Sequence, residues 1–261
     1  MNGSIDEIAA ASRAAREWWD REAAAYQAEH GDFLGPIRFR WGPEGLDEAE
    51  TGLLGRLGGR TVLELGAGAA QCSRWLRTQG ASAYAVDLSG AQLADSARLD
   101  AETGIRVPAV QADALALPFG AESFDLACSS YGAIPFVADL EAIHREVRRV
   151  LRNSGRWVFS VTHPVRWAFL DDPGPRGLTA VRPYFDRTPY AERDDSGRLL
   201  YAEFHRTVGD HVRALVSTGF RLIDVVEPEW PDDNDQIWGG WSRLRGKLLP
   251  GTAIFVAQRD G

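Results

Sequence analysis

Residues 61–76, TVLELGAGAAQCSRWL, decide the reading of this chain. An apolar run (Val62, Leu63, Leu65) carries one acid, Glu64, and leads into the glycine turn Gly66-Ala67-Gly68. Cys72, Trp75 and Leu76 then share one face of a helix. A buried strand, a tight turn and a helix in that order open a nucleotide-binding α/β unit. Glycine takes dihedrals closed to other residues and lets a ligand come close to the backbone. A second strand over residues 81–86 delivers Asp87, nineteen residues after Gly68. An acid at that place accepts hydrogen bonds from both ribose hydroxyls of an adenosine.

The third glycine decides which adenosine. A dinucleotide turn reads G-x-G-x-x-G, and the third glycine lets the helix pack closely around a pyrophosphate. Here that position is Gln71, and Glu64 stands beside the turn. A carboxylate is poorly placed against a diphosphate and well placed near an ammonium group. S-adenosylmethionine (SAM) carries an ammonium and a sulfonium and no phosphate. At these residues the chain resembles the class I SAM-dependent methyltransferases, in particular the type 11, small-molecule branch typified by ubiquinone and menaquinone biosynthesis.

The resemblance continues in order along the chain. Val110-Gln111-Ala112-Asp113-Ala114 followed by Leu117-Pro118-Phe119 is similar to the family's third-strand segment. There it implies that Asp113 meets the adenine amino group and the Ala114 amide meets the ring. Residues 123–130 resemble the fourth strand, whose carboxyl end faces the methyl donor and the acceptor. Residues 145–156 resemble the E-x-x-R-V-L-x-x-G-G helix and turn, with Ser154 in place of one glycine. The fit is close over 61–162 and looser elsewhere. It implies a SAM site built from Tyr26, Glu64, Gly66, Ala67, Gly68, Gln71, Asp87, Leu88, Gln92, Asp113, Ala114 and Ser130. One departure touches the chemistry. Many relatives carry a histidine after the fourth strand, where this chain has Pro135-Phe136. A simple copy of the quinone-methylating chemistry does not follow.

At 261 residues the chain fits one α/β domain with insertions. A net charge of −8 argues against a dedicated nucleic-acid binder. Lys247 is the only lysine among abundant arginines, a bias without mechanism. Cys72 and Cys128 fall in apolar surroundings and read as buried free thiols. No Cys/His spacing suggests a metal site, so none is expected. Residues 1–17 lack the character of a signal peptide, and no apolar run reaches membrane length. The expectation is a cytoplasmic protein, monomer or homodimer, with a small-molecule acceptor and neither nucleic acid nor membrane as partner.

Periodicity gives a helix over 5–29, with Trp19, Ala23 and Tyr26 on one face. The resemblance makes it a lid over the SAM pocket. Residues 31–45 read as a covering loop and 44–57 as a short helix. Ser89 to Gln92 reads as a capping box. Residues 138–151 form an amphipathic helix with His144 on its polar side. In the proline-rich segment 164–206, residues 184–185 and 199–206 read as strands of a small cap. A helix over 208–218 and strands over 220–226 and 252–257 complete the sheet. Spacing gives a doubly wound α/β class. The resemblance adds a Rossmann-like, mostly parallel seven-stranded sheet with helices on both faces, in the order 3-2-1-4-5-7-6, strand seven antiparallel. The organisation expected is lid and covering loop (1–58), SAM-binding core (59–163), cap insertion (164–206), and the rest of the core with a substrate-side loop (207–261).

Methyl transfer from a sulfonium is an in-line displacement, so the first requirement is to hold the nucleophile about 3 Å from the methyl. A general base is needed only when the nucleophile arrives protonated. The candidates are His163, at the end of the fifth strand, then His205, with Tyr131 placed to bond or stack on the acceptor. His163 reads equally well as a loop histidine bonded to backbone, and His205 as an exposed strand residue. His30 and His211 read as structural. Trp167, Trp230, Trp238 and Trp241 lie outside the strands and suit either an aromatic acceptor or the pinning of long loops. Arg166 and Arg206 read as acceptor-anion ligands or surface arginines. The reading is a SAM-dependent methyltransferase acting on an oxygen, nitrogen or sulfur atom of a small aromatic or lipophilic molecule. Two alternatives stay open: a SAM-binding protein of the same fold without methyl transfer, and an NAD-dependent oxidoreductase, against which Gln71 and Glu64 speak. A nucleic-acid methyltransferase is disfavoured by Ser130-Tyr131-Gly132-Ala133, where an N/D-P-P-Y/F tetrad is absent.

Overall fold

The computed structural model describes residues 5–261, so residues 1–4 of the expected lid segment lie outside it. The elements in chain order begin with α1 (Ile5–Leu34), α2 (Glu48–Thr51), β1 (Thr61–Leu65), α3 (Gln71–Thr78), β2 (Ser82–Asp87), α4 (Gly90–Thr103), β3 (Ala109–Gln111) and β4 (Phe124–Ser129). There follow α5 (Leu140–Val150), β5 (Leu151–Thr162), β6 (Tyr190–Arg193), β7 (Leu199–Glu203), α6 (Val208–Ser217), β8 (Phe220–Val226), α7 (Arg243–Gly246) and β9 (Thr252–Arg259).

Seven strands form one sheet in the order β3-β2-β1-β4-β5-β9-β8, and β6 pairs with β7 as a separate hairpin. The first five run parallel, and β9 is antiparallel to both β5 and β8. This is the expected order, with β8 and β9 as core strands six and seven. Strand order reverses between β1 and β4, and the crevice beyond their carboxyl ends is where ligands of such sheets bind.

Strand side chains alternate between two apolar layers. Leu63, Ala127, Trp157 and Phe255 pack against Ile143 and Val147 of α5 and Leu215 of α6. Val62, Cys128, Val158 and Ile254 face the other way, against Phe39, Trp41, Leu54 and Leu76. Burial on both faces is what a parallel strand requires. Caps fix where the helices start: Asp139 accepts from Ala142 N at α5, and Thr207 with Asp210 closes a capping box at α6.

Five local expectations change. The first helix runs five residues further, to Leu34, and stops at Gly35 in the left-handed region (φ 66°). In 44–57 only Glu48–Thr51 is helical: Gly52 takes φ 60°, and the buried Glu48 carboxylate accepts from Leu53 N and Leu54 N instead of leaving those amides to a helix. Residues 184–185 are no strand. Asp186 N bonds Pro183 O in a turn, and the partner of β7 is β6. β7 ends at Glu203 because Phe204 N turns to Pro135 O (2.8 Å). His144 is not solvated but fully buried. It stands four residues after Leu140 and three before Val147, on the inner face, where its Nδ1 accepts from Trp157 Nε1. Burial pushes its pKa down to about 3.

Candidate functional site

At the β1/β4 reversal a cavity opens beneath α1. Its floor is the turn after β1. Gly66 and Gly68 take φ 61° and 54°, as the glycine reading requires. A Cβ on Gly66 would stand 2.5 Å from Ala133 N, and one on Gly132 would stand 2.5 Å from Gly66 O. The turn and the loop after β4 therefore pack backbone to backbone, which only glycine at both places allows.

Asp87, at the end of β2, receives Gly68 N and Ser89 N on its two oxygens, each at 2.8 Å. Burial raises its pKa, and these amides pull it back. The carboxylate is thus fixed in orientation, with lone pairs left for a diol. Glu64 is buried under α3, and its Oε2 accepts from Ser73 N (2.8 Å) and Ser73 Oγ. Burial pushes this carboxyl up to about 7, with Ser73 opposing. An incoming ammonium would draw its proton off, so the group suits a cation. Asp113 accepts from Leu115 N and presents Ala114 at the cavity wall.

All twelve residues expected to bind the cofactor line this cavity. The lid helix supplies Tyr26 and, from a residue the sequence reading passed over, Gln27. Gln27 accepts from Gln71 Nε2 and donates to Gln92 Oε1, both at 3.2 Å, bridging α1 to α3 and α4. Asp20 of α1 accepts from Ser89 Oγ and Ala91 N at the start of α4. Ser89 caps α4 through Gln92 N, while the Gln92 side chain turns to Gln27. Half of the expected capping box is therefore present. Arg38 and Arg40 also reach the cavity but are already paired with Asp47.

The far wall is aromatic: Trp19, Phe33, Tyr131, Phe136 and Trp238. Trp19 meets Phe136 edge to face at 5.4 Å, so the position where the resemblance leads one to expect a histidine is here part of an apolar wall. Trp238 stacks on His30 at 3.7 Å. Trp230 and Trp241 are buried and pin their loop. Trp167 packs beside His205.

The three catalytic candidates part company here. Tyr131 lines the cavity, in the left-handed region (φ 55°), with its hydroxyl buried and without a hydrogen-bond partner. His163 and His205 stand outside the lining. His163 Nδ1 accepts from Val165 N (3.1 Å) and Nε2 meets Glu227 Oε1 (2.8 Å), so both ring nitrogens are engaged. Burial lowers its pKa, against the pull of Glu227. His205 Nε2 is held by Tyr184 O. Arg166 bridges Glu203 and Asp171, and Arg206 donates to Ala138 O and His205 O. His211 is buried between Phe159 and Phe255. Among the described residues no cluster of three or more His, Cys, Asp or Glu is arranged to hold a metal ion.

A family model described as a methyltransferase domain matches residues 63–159. A demethylmenaquinone methyltransferase from Mycolicibacterium paratuberculosis is 39% identical over 208 residues, covering 77% of this chain and 76% of that protein. A SAM-dependent methyltransferase structure from Mesorhizobium loti is 29% identical with a TM-score of 0.64, covering 84% of this chain and 100% of that one. The Burkholderia thailandensis 1,6-didemethyltoxoflavin-N1-methyltransferase, solved with 1,6-didemethyltoxoflavin and S-adenosylhomocysteine, is 19% identical with a TM-score of 0.58 over 99% of this chain and 92% of its own. That last likeness is one of fold.

Proposed function

The chain belongs to the SAM-dependent methyltransferases of the methyltransferase-domain family, and on that premise we propose that it methylates an oxygen, nitrogen or sulfur atom of a small aromatic or lipophilic acceptor. The observation that carries this reading is the wall of Trp19, Phe33, Tyr131, Phe136 and Trp238 closing the same cavity that holds Asp87 and the glycine turn. Large rigid rings give apolar contact area at low entropic cost and suit a flat or lipophilic acceptor. A relative named for a quinone acceptor is in keeping with it.

SAM, when bound, supplies an electrophilic methyl and a neutral thioether leaving group. The chain's own residues hold and orient. Asp87 is assigned to the ribose, with Leu88 and Gln92 beside it. Asp113 and Ala114 are assigned to the adenine. Glu64, the turn Gly66-Ala67-Gly68, Gln71, Ser130 and Tyr26 are assigned to the methionine end. Trp19 and Phe136 keep water from the acceptor side. Charge is quenched as methyl transfer proceeds, so a dry wall favours the reaction. No helix among the described residues is long and apolar enough to cross a membrane. The net charge of −8 fits a small-molecule acceptor better than a nucleic acid.

Three measurements test the reading. Calorimetric titration with SAM, S-adenosylhomocysteine and NADH is expected to show binding of the first two only. Asp87→Ala is expected to weaken SAM by about 1–3 kcal/mol, since it removes hydrogen bonds to a charged group. Unchanged affinity in that variant would sink the ribose assignment. A panel of phenols, aromatic amines, thiols and aliphatic acceptors, read by mass spectrometry for one added methyl, tests the acceptor class. Methylation confined to polar aliphatic compounds would overturn it.

A further inference from the structure

Behind Tyr131 lies a buried acid that the functional reading leaves unused. Glu44, on the covering loop, is only 2% exposed. Its Oε2 accepts from Thr252 Oγ1 at 2.7 Å, the first residue of β9, while Oε1 is buried with no partner. The fold leaves room for this carboxylate by omitting side chains. A Cβ on Gly251 would stand 2.4 Å from Oε1, and one on Gly42 would stand 2.7 Å from Oε2 and 2.2 Å from Thr252 Oγ1. The Tyr131 hydroxyl is likewise buried without a well-formed hydrogen bond and faces the Thr162 and Thr252 hydroxyls, with Glu44 and Arg166 as its charged neighbours. Thr252 thus stands between the two. Gly42 and Pro43, next to Glu44 in the chain, line the same cavity as Tyr131.

Burying an acid without satisfying both oxygens is costly, and a group of that kind is a candidate for proton transfer. A purely structural tether between the covering loop and β9 needs a hydrogen bond to Thr252, which a neutral amide would make equally well. We propose that Glu44 is the terminal proton acceptor of the methyl-transfer reaction, reached from the acceptor through Tyr131 and Thr252. This rests on the reading of the cavity as a methyltransferase site whose acceptor arrives protonated.

The step balances as follows. The acceptor's lone pair forms a bond to the methyl carbon, the carbon–sulfur bond breaks, and its pair stays on sulfur. The acceptor's proton passes to the Tyr131 oxygen as the Tyr131 proton passes to Thr252 Oγ1. The Thr252 proton passes to the Glu44 carboxylate, which ends as a neutral acid. Arg166 faces Tyr131 and favours negative charge on its oxygen in transit. The charged and titratable groups facing the cluster are Tyr131 after β4, Arg166 after β5 and Arg245 in α7. Burial pushes the Glu44 carboxyl from 4.5 up to about 7, against the hydrogen bond of Thr252 and the weaker pull of the nearby backbone of Gly251 and Thr252. A base whose pKa lies near the working pH is well matched to its task.

The first arm of the test needs no acceptor. A carboxyl titrating higher in the folded than in the unfolded protein binds the extra proton between those two values. Its contribution to stability is present below 4.5 and is lost as pH rises through about 7. Melting curves of wild type and Glu44→Gln are therefore expected to converge at acid pH and to separate between pH 4.5 and about 7, the wild type lying below the variant by a constant amount above that range. A pH-independent offset would overturn the proposal. In the second arm, turnover of this chain with an acceptor that the wild type methylates is expected to fall about 10²–10⁴-fold in Glu44→Gln, with SAM affinity unchanged. Thr252→Val should show the same loss and Thr252→Ser should restore most of the rate. Glu44→Gln turnover within about threefold of wild type would overturn the relay. If the wild type methylates nothing in the acceptor panel, the acceptor reading fails, while the melting arm still decides whether Glu44 titrates as proposed.

Discussion

The cavity has two halves of different construction. The half around Asp87 is made by short-range backbone devices: a strand end, two glycines at positive φ, and a carboxylate that collects two nearby amides. The half around Tyr131 is made by side chains brought from far apart: Phe33, Phe136 and Trp238 on its wall, with the Glu44–Thr252 bond behind it spanning 208 positions. A ligand gripped by backbone shape leaves a local signature in sequence. A ligand faced by long-range packing leaves only composition.

The contrast breaks most sharply if the glycine turn tolerates a side chain. Gly66→Ala must hold φ 61° and place a Cβ 2.5 Å from Ala133 N. Left-handed backbone costs a non-glycine residue roughly 1–2 kcal/mol, and overpacking adds roughly 1–3. A loss near 3 kcal/mol in denaturant unfolding is expected, together with loss of measurable SAM binding. Retention of both would mean that the turn is not what organises this half.

The legibility of the two halves follows from the same contrast. The Gly66–Gly68 turn and the place of Asp87 were readable because each is tied to one turn or strand end, whereas the strand order and Asp113 came from the family resemblance. His144 was misread because a polar residue on an inward helix position looks solvated until Trp157, thirteen residues on, supplies its hydrogen bond. The 44–57 segment misled because helix-forming glutamates were present, yet the buried carboxylate of Glu48 caps a turn and that of Glu44 ties the loop to β9. Gln27 carried no signal at all, since its two partners, Gln71 and Gln92, belong to different helices.

His163 sharpens the boundary between the halves. It sits at the carboxyl edge, as expected of a base, but both ring nitrogens are bound, and its backbone N–H holds Gly251 O at 2.8 Å. His163→Ala removes a cap on the turn Pro164–Ala168 and leaves a small void. We expect a stability loss of about 1–2 kcal/mol in thermal unfolding and turnover within about threefold of wild type. A fall in turnover of about 10²-fold or more, at unchanged SAM affinity, would move the proton acceptor from Glu44 to His163.

The smallest effect asks to which half the lid belongs. α1 lies over the whole cavity, with Trp19 at the aromatic wall and Gln27 at the glycine turn. Among the described residues Gln27 alone bonds both Gln71 and Gln92, and Gln92 Oε1 stands 3.5 Å from where a Cβ on Gly68 would lie. Gln27→Leu keeps the bulk and removes both bonds, each worth roughly 0.5–1.5 kcal/mol at most in a partly wetted setting. If the lid is an extension of the cofactor half, SAM affinity should fall by about 0.5–1 kcal/mol in calorimetry while the acceptor KM stays unchanged. If the acceptor KM moves and SAM affinity does not, α1 closes on the acceptor instead. The two halves would then share one moving part, and the division drawn between them would hold for the sheet edge alone.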